Sequence, residues 1–119
     1  MDIPGSETCV QVPRAELIAQ LNDNLRKTGT GGTVVVTRGV MNLTGFDMAM
    51  LIAEVASYSE FDPDNDPHGE RDFGDLTLFG ENLLFKIDYF DRDMEFGSND
   101  PADPEVTVRV LTVLLAREW

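Results

Sequence analysis

The stretch FGDLTLFGENLLFKIDYF, residues 73–90, constrains the fold more than any other part of the chain. Two runs rich in Leu, Phe, Ile and Tyr flank the short connection GEN at 80–82, the pattern of a β-hairpin. In the second run Leu83, Phe85, Ile87 and Tyr89 share one face, and Lys86 and Asp88 the other, as in a half-buried strand. With the turn at 80–82, Phe79 is expected opposite Leu83, Thr77 opposite Phe85 and Phe73 opposite Tyr89. The segments entering and leaving the ribbon then emerge at one end of the molecule.

Elements elsewhere follow from periodicity and punctuation. Pro13 opens a helical pattern with Leu17, Leu21 and Leu25 at four-residue spacing and Arg26 and Lys27 in its last turn, where cations suit the helix dipole. TGTGG (28–32) stops it. It is no phosphate loop, because it follows a helix, precedes a strand and lacks the Gly-Lys-Ser/Thr ending. TVVVTR (33–38) is a short β-branched run and reads as a buried strand. A second helix is expected from about Thr44, with the Thr44 hydroxyl as cap and Asp47 at the third helical position. Its apolar face would be Met48, Leu51, Ile52, Val55 and Tyr58. The last segment, DPEVTVRVLTVLLAREW, alternates valines at 106, 108 and 110 like a strand. Asp103-Pro104-Glu105 opens it like a helix, and a helix is the expectation. The resulting order is α-β-α-β-β-α. It predicts one α+β domain over 13–119, with a small, mainly antiparallel sheet and helices packed on one face, behind a flexible N-terminus at 1–12.

Charge decides which partners suit such a domain. Among 119 residues there are 22 acids and nine bases, a net of −13. Residues 1–59 hold six acids and four bases, whereas 60–119 hold sixteen and five. Such a field disfavours direct binding of nucleic acid or an anionic membrane, since phosphate recognition relies on Lys and Arg. It favours cations, either a metal ion or the basic surface of another protein; solubility alone is the plainer purpose. Cys9 has no partner for an intrachain disulfide. No apolar run approaches the roughly 20 residues that span a bilayer, and the first dozen residues lack the features of a signal peptide. A cytoplasmic protein is expected.

The acids are also grouped. Residues 60–75 contain seven acids and Arg71, and residues 88–105 contain seven acids and Arg92. By the hairpin argument both groups belong at the same end. The first contains FDPDNDPHGERDFG (61–74), with the only histidine, His68. Asp-Pro starts both DPDN and DPHG, so two successive type I turns would explain it without any function. As a calcium loop it fails: Asp62, Asp64 and Asp66 suit the opening, but Pro67 stands where glycine must bend and Phe73 where the bidentate glutamate belongs. One histidine and one distant cysteine do not make a zinc site. A hard divalent cation is the one cofactor the residues leave room for, held by Asp66, His68, Glu70, Asp72 and Asp88; in an extended backbone the first four alternate and point to one side. His68 as a general base has no serine in a G-x-S-x-G setting to serve.

The blocks FDPDNDPHGERDFG, FKIDYFDRD and GSNDPADPEVTVRVLTVLLAREW, together with LNDNLRKT and GGTVVVTRGV, resemble an uncharacterised bacterial domain-of-unknown-function family over nearly the whole chain. The family commonly has His where Arg71 stands here, so a two-histidine site does not carry over. The resemblance implies a compact bacterial domain of a type often carried on plasmids and phages, and it supplies no catalytic residue. Three functions remain open. The leading expectation is an acidic binding or inhibitor protein, of the anti-restriction or anti-CRISPR type. It would engage the basic surface of a nucleic-acid-handling partner through Asp62, Asp64, Asp66, Glu70, Asp72, Asp91, Asp93 and Glu95. The second is a metal-dependent hydrolase built on the five residues around His68. The third is an oligomerising module with Phe90, Phe96 and Trp119 as an exposed apolar patch.

Overall fold

A computed structural model describes residues 12–119. The expected flexible N-terminus, and Cys9 within it, lie almost wholly outside the described residues. Helix α1 (Arg14–Thr28) begins after Pro13 and ends at Gly29, whose φ of 76° closes it in a left-handed turn that glycine adopts without strain. Strand β1 (Thr33–Val36) follows where expected, but it is largely exposed and not buried, because it lies at the edge of the sheet. The short helix α2 (Arg38–Met41) has no counterpart in the sequence reading; the Thr37 hydroxyl caps it by accepting from the Val40 amide. Helix α3 (Met48–Ser57) starts four residues after Thr44. Asp47 is itself the cap and accepts from the Met50 amide at 3.1 Å.

Strands β2 (Phe73–Leu78) and β3 (Glu81–Phe90) form the hairpin, but its register differs from the expectation. Phe73 pairs with Lys86, not Tyr89, and Leu78 with Glu81. The turn is the two residues Phe79 and Gly80, with φ of 56° and 74°. Positive φ at both positions matches the right-handed twist of a ribbon and makes two residues sufficient. The strand β3 therefore runs four residues beyond the start of β2, an overhang that the site below uses.

The expected C-terminal helix is instead strand β4 (Val108–Leu115), followed by one 3-10 turn, Ala116–Glu118. Its neighbours explain why. β4 lies between β1, to which it is parallel, and β3, to which it is antiparallel, in the order β1-β4-β3-β2. A strand hydrogen-bonded on both sides favours branched and apolar residues throughout. Asp103 and Pro104 serve a turn rather than a helix start, with the Glu105 amide donating to Asp103 Oδ1.

The α+β class and mainly antiparallel sheet are as expected. Leu25, Val40, Leu51 and Val55, from all three helices, form one core cluster with Leu83, Phe85, Ile87, Leu111, Val113 and Leu115. Those strand residues alternate, so the helices cover one face of the sheet. Two helix faces turn out differently: on α3 Met48 and Ile52 are exposed and only Leu51 and Val55 are buried, and on α1 the stripe itself shifts. Leu17 is exposed, and the buried stripe of α1 is Ile18, Ala19, Asn22, Leu25 and Arg26. Two of these five are polar, and both have partners in the loop system described next.

Candidate functional site

The segment 60–72 enters from the core. The Phe61 ring packs edge-to-face on Tyr58 at 4.9 Å and on Phe85 at 6.4 Å. Arg26 lies over it, with the guanidinium carbon 5.2 Å from the ring centre. The same guanidinium donates to the carbonyls of Val55, Ala56 and Tyr58 at 2.9–3.0 Å, satisfying the C-terminus of α3.

Turns form at both expected places, but the first is wider than a type I turn, closed by the Asp66 amide on the Asp62 carbonyl at 2.8 Å. Asp62 Oδ1 accepts from the amides of Asp64 and Asn65 at 2.8 and 3.0 Å, and Asn65 Oδ1 accepts from the Asp62 amide at 3.0 Å. The Gly69 amide closes the second turn on the Asp66 carbonyl, and Asp66 Oδ1 accepts from the Arg71 amide at 3.0 Å. Arg71 takes a φ of 54°, a left-handed conformation unusual for a side-chain-bearing residue. Its guanidinium shows what holds it there. Nε donates to both carboxylate oxygens of Asp23 at 3.0–3.1 Å, and Nη2 reaches Glu16 Oε2 at 3.1 Å. Burial alone would push Asp23 up, but its bonds from Arg71 and Arg26 outweigh that and hold it below the usual carboxylate range. The bond from Arg71 lowers Glu16 as well.

Behind this lies a buried polar chain. Asn22 is fully buried and donates to the Glu70 carbonyl at 3.0 Å and the Tyr89 hydroxyl at 2.8 Å. That hydroxyl donates to Glu70 Oε1 at 2.9 Å. Arg109, 2% exposed, donates through Nε to Asn22 Oδ1 at 2.8 Å and through Nη2 to the Pro101 carbonyl, with Tyr89 under its guanidinium. Burial lowers Arg109's affinity for its proton, and the charge of Glu70 opposes that. Burial raises the Tyr89 phenol, so it stays a donor at neutral pH. The overhang of β3 puts Tyr89 here, beyond the first residue of β2.

The expected contacts divide into two sets. Asp66, Glu70 and Asp72 are half-buried; Asp66 and Glu70 are occupied by the bonds above. Burial raises Asp72, with Glu70 and Asp66 adding to it and His68 opposing. Asp91 is half-buried and accepts from the Glu95 amide at 3.0 Å in a turn closed by the Phe96 carbonyl. Asp62, Asp64, Asp93 and Glu95 are exposed. The antiparallel pairing brings the 60–72 and 91–96 segments off the same end of the hairpin, with the Ile87 amide on the Asp72 carbonyl extending the ladder.

The five residues of the metal hypothesis are not gathered. Turns interrupt the extended backbone that would align Asp66, His68, Glu70 and Asp72. Asp88 pairs with Lys86 on the sheet face opposite Tyr89. Among the described residues no group of three or more His, Cys, Asp or Glu side chains is arranged to hold a metal ion. Of the apolar trio, Phe96 and Trp119 are 71% and 72% exposed; Trp119 packs edge-to-face on Phe73, while Phe96 lies beside the Phe90–Gly97 bridge. Asn22, Asp23, Arg26, Tyr89 and Arg109 were missed as site residues. Two polar residues on the leucine stripe of a helix, and an arginine inside a valine run, are the signals that mark them.

Residues 36–118 match a family described as a protein of unknown function, DUF3768. The chain belongs to DUF3768. The match begins at the last residue of β1, so α1, with Asn22 and Asp23, lies outside the matched segment. The acidic turns, Arg71, Tyr89 and Arg109 are inside the DUF3768 match. Neither a curated protein nor a solved structure matches the chain. No helix among the described residues is long and apolar enough to cross a membrane.

Proposed function

We propose that this DUF3768 chain is a binding protein whose acidic end docks on a Lys/Arg-rich surface of a nucleic-acid-handling partner. One observation carries the reading: two acid-rich segments leave the same end of one hairpin, and the first is braced from behind by Arg71, Asn22 and Tyr89. Bracing fixes the segment that carries Asp62 and Asp64 before the partner arrives, so little ordering entropy is lost there on binding. Charge complementarity would speed the encounter, and an occupied basic surface would exclude phosphates. Asp62, Asp64, Asp93 and Glu95 are the contacts. Asp66, Glu70 and Asp91 shape the surface through internal bonds. The reading fits an inhibitor of a restriction or CRISPR complex from a bacterial mobile element, acting in the cytoplasm.

The test compares wild type with a D64K/D93K/E95K variant, immobilised and exposed to host lysate at about 50 mM salt. The expected result is a partner that wild type retains, that elutes as salt rises, and that the variant does not hold. A partner retained equally by the triple variant, at equal melting temperature, would defeat the proposal.

A further inference from the structure

The edge of the sheet away from the acidic hairpin has a different chemistry. β1 ends the order β1-β4-β3-β2, and among the described residues its outer side pairs with nothing. The Thr37 amide donates to the Val113 carbonyl of β4. Peptide groups alternate along a strand, so Thr33 and Val35 also address β4, and Val34 and Val36 present their amides and carbonyls outward. Val34 and Val35 are each 41% exposed, on opposite faces of the sheet. β1 contains no charge, proline or bulge, which are the devices that usually protect an edge from pairing. Beside it a cleft of about 200 Å³ opens between the end of α1 and α3, lined by Leu25, Val34, Val36, Leu51, Ile52 and Val55. Ile52 is 50% exposed at its wall.

We propose that this edge pairs with the same edge of a second copy of the chain, antiparallel about a two-fold axis, to make one eight-stranded sheet. In the register that uses both outward residues, Val34 faces Val36 of the second copy and Val36 faces its Val34, with four backbone hydrogen bonds. Val35 then lies directly opposite its own symmetry mate, where side chains come closest. The two apolar clefts join across the seam.

The low charge around this edge suits the uncharged β1 strand of a second copy better than a strongly basic or acidic peptide. Around β1 the acids Glu16 and Asp23 are held by Arg71, and Arg14 is held by Asp100. What remains in residues 12–59, apart from buried Arg26, is Asp47 and Glu54 against Lys27 and Arg38; Glu118, which accepts from the Thr37 hydroxyl at the end of β1, brings the balance to −1, against −13 for the whole chain. In the eight-stranded sheet the two β2 strands are seven spacings apart, roughly 34 Å at about 4.8 Å each. The acidic ends are thus separated by several screening lengths of about 8 Å. A chain of charge −13 can therefore associate through this edge with little repulsion.

Sedimentation velocity of the full chain at about 10–200 µM tests the proposal. Wild type should sediment as a dimer at the upper concentrations. Val35→Lys and Val35→Glu should each weaken association at least about tenfold by placing like charges opposite each other. Circular dichroism should show both still folded, and their equimolar mixture should recover the dimer. A wild type monomeric at 200 µM overturns the proposal, as does a Val35→Lys protein that dimerises as well as wild type. So does a mixture that stays monomeric.

Discussion

Asp72 shows how the loop's rigidity constrains its charge. Its carboxyl is half-buried beside Glu70 and Asp66, and burial, with those neighbours adding, raises its pKa above the ordinary carboxylate value. A carboxyl raised in the folded chain holds its proton more tightly there than in the unfolded chain. Its ionised form therefore opposes folding above the folded-state pKa, and the penalty fades as pH falls from there to the unfolded value of about 3.9, below which it is gone. Asp72→Asn should raise the melting temperature at pH 7 and leave it unchanged near pH 3. A thermal melt series from pH 3 to 8 checks this; a variant less stable at pH 7 would mean that the carboxylate makes a favourable contact. The signs differ at Asp23, where two arginines reverse the effect of burial. Neither behaviour can be read from a string of acids, because both depend on side chains brought from the helix.

At the scale of elements, Gly74 couples the hairpin to the helical layer. A Cβ placed there would lie 2.4 Å from the Phe85 ring and 2.7 Å from that of Tyr58, both part of the Phe61 anchor. Gly74→Ala should destabilise by about 1–3 kcal/mol through overpacking of a close-packed core. Urea unfolding at constant m-value would measure it, and no loss would show that the Phe61 cluster can yield. The hairpin, α1 and β1 were legible because alternation, helical spacing and a β-branched run each leave a local mark. Register was less so: the Phe79–Gly80 turn has an aromatic where the usual signal is Asn or Asp, and the hairpin closes one residue earlier than GEN suggests. β4 was misread because its identity depends on two flanking strands, whereas DPE is a local helix opening that serves a turn here. The acidic turns were legible from Asp-Pro punctuation. Their brace was not, because Asn22 meets Tyr89 and Arg109 across 67 and 87 residues.

For the whole molecule, the two sheet edges divide the work by charge. The β2 side carries the acid-rich segments, and the β1 side is apolar with little net charge. Self-repulsion among the exposed carboxylates opposes folding, because the unfolded chain spreads them apart. The exposed pairs Arg14–Asp100 and Arg117–Glu81 contribute little against it, and salt weakens them too. The Arg71–Asp23 pair is three-quarters buried on both sides and is screened less. Added salt therefore removes more repulsion than attraction. Between about 20 mM and 0.5 M NaCl the melting temperature should rise by roughly 4 °C, the shift expected for about 1 kcal/mol in a domain of this size. The D64K/D93K/E95K variant should show less of this rise, since it removes charge where the field is strongest. Scanning calorimetry at dilute protein, where association does not contribute, gives both numbers. A wild type whose melting point falls with salt would mean that ion pairs outweigh the crowded carboxylates. The acidic end would then have no unrelieved charge with which to attract a partner.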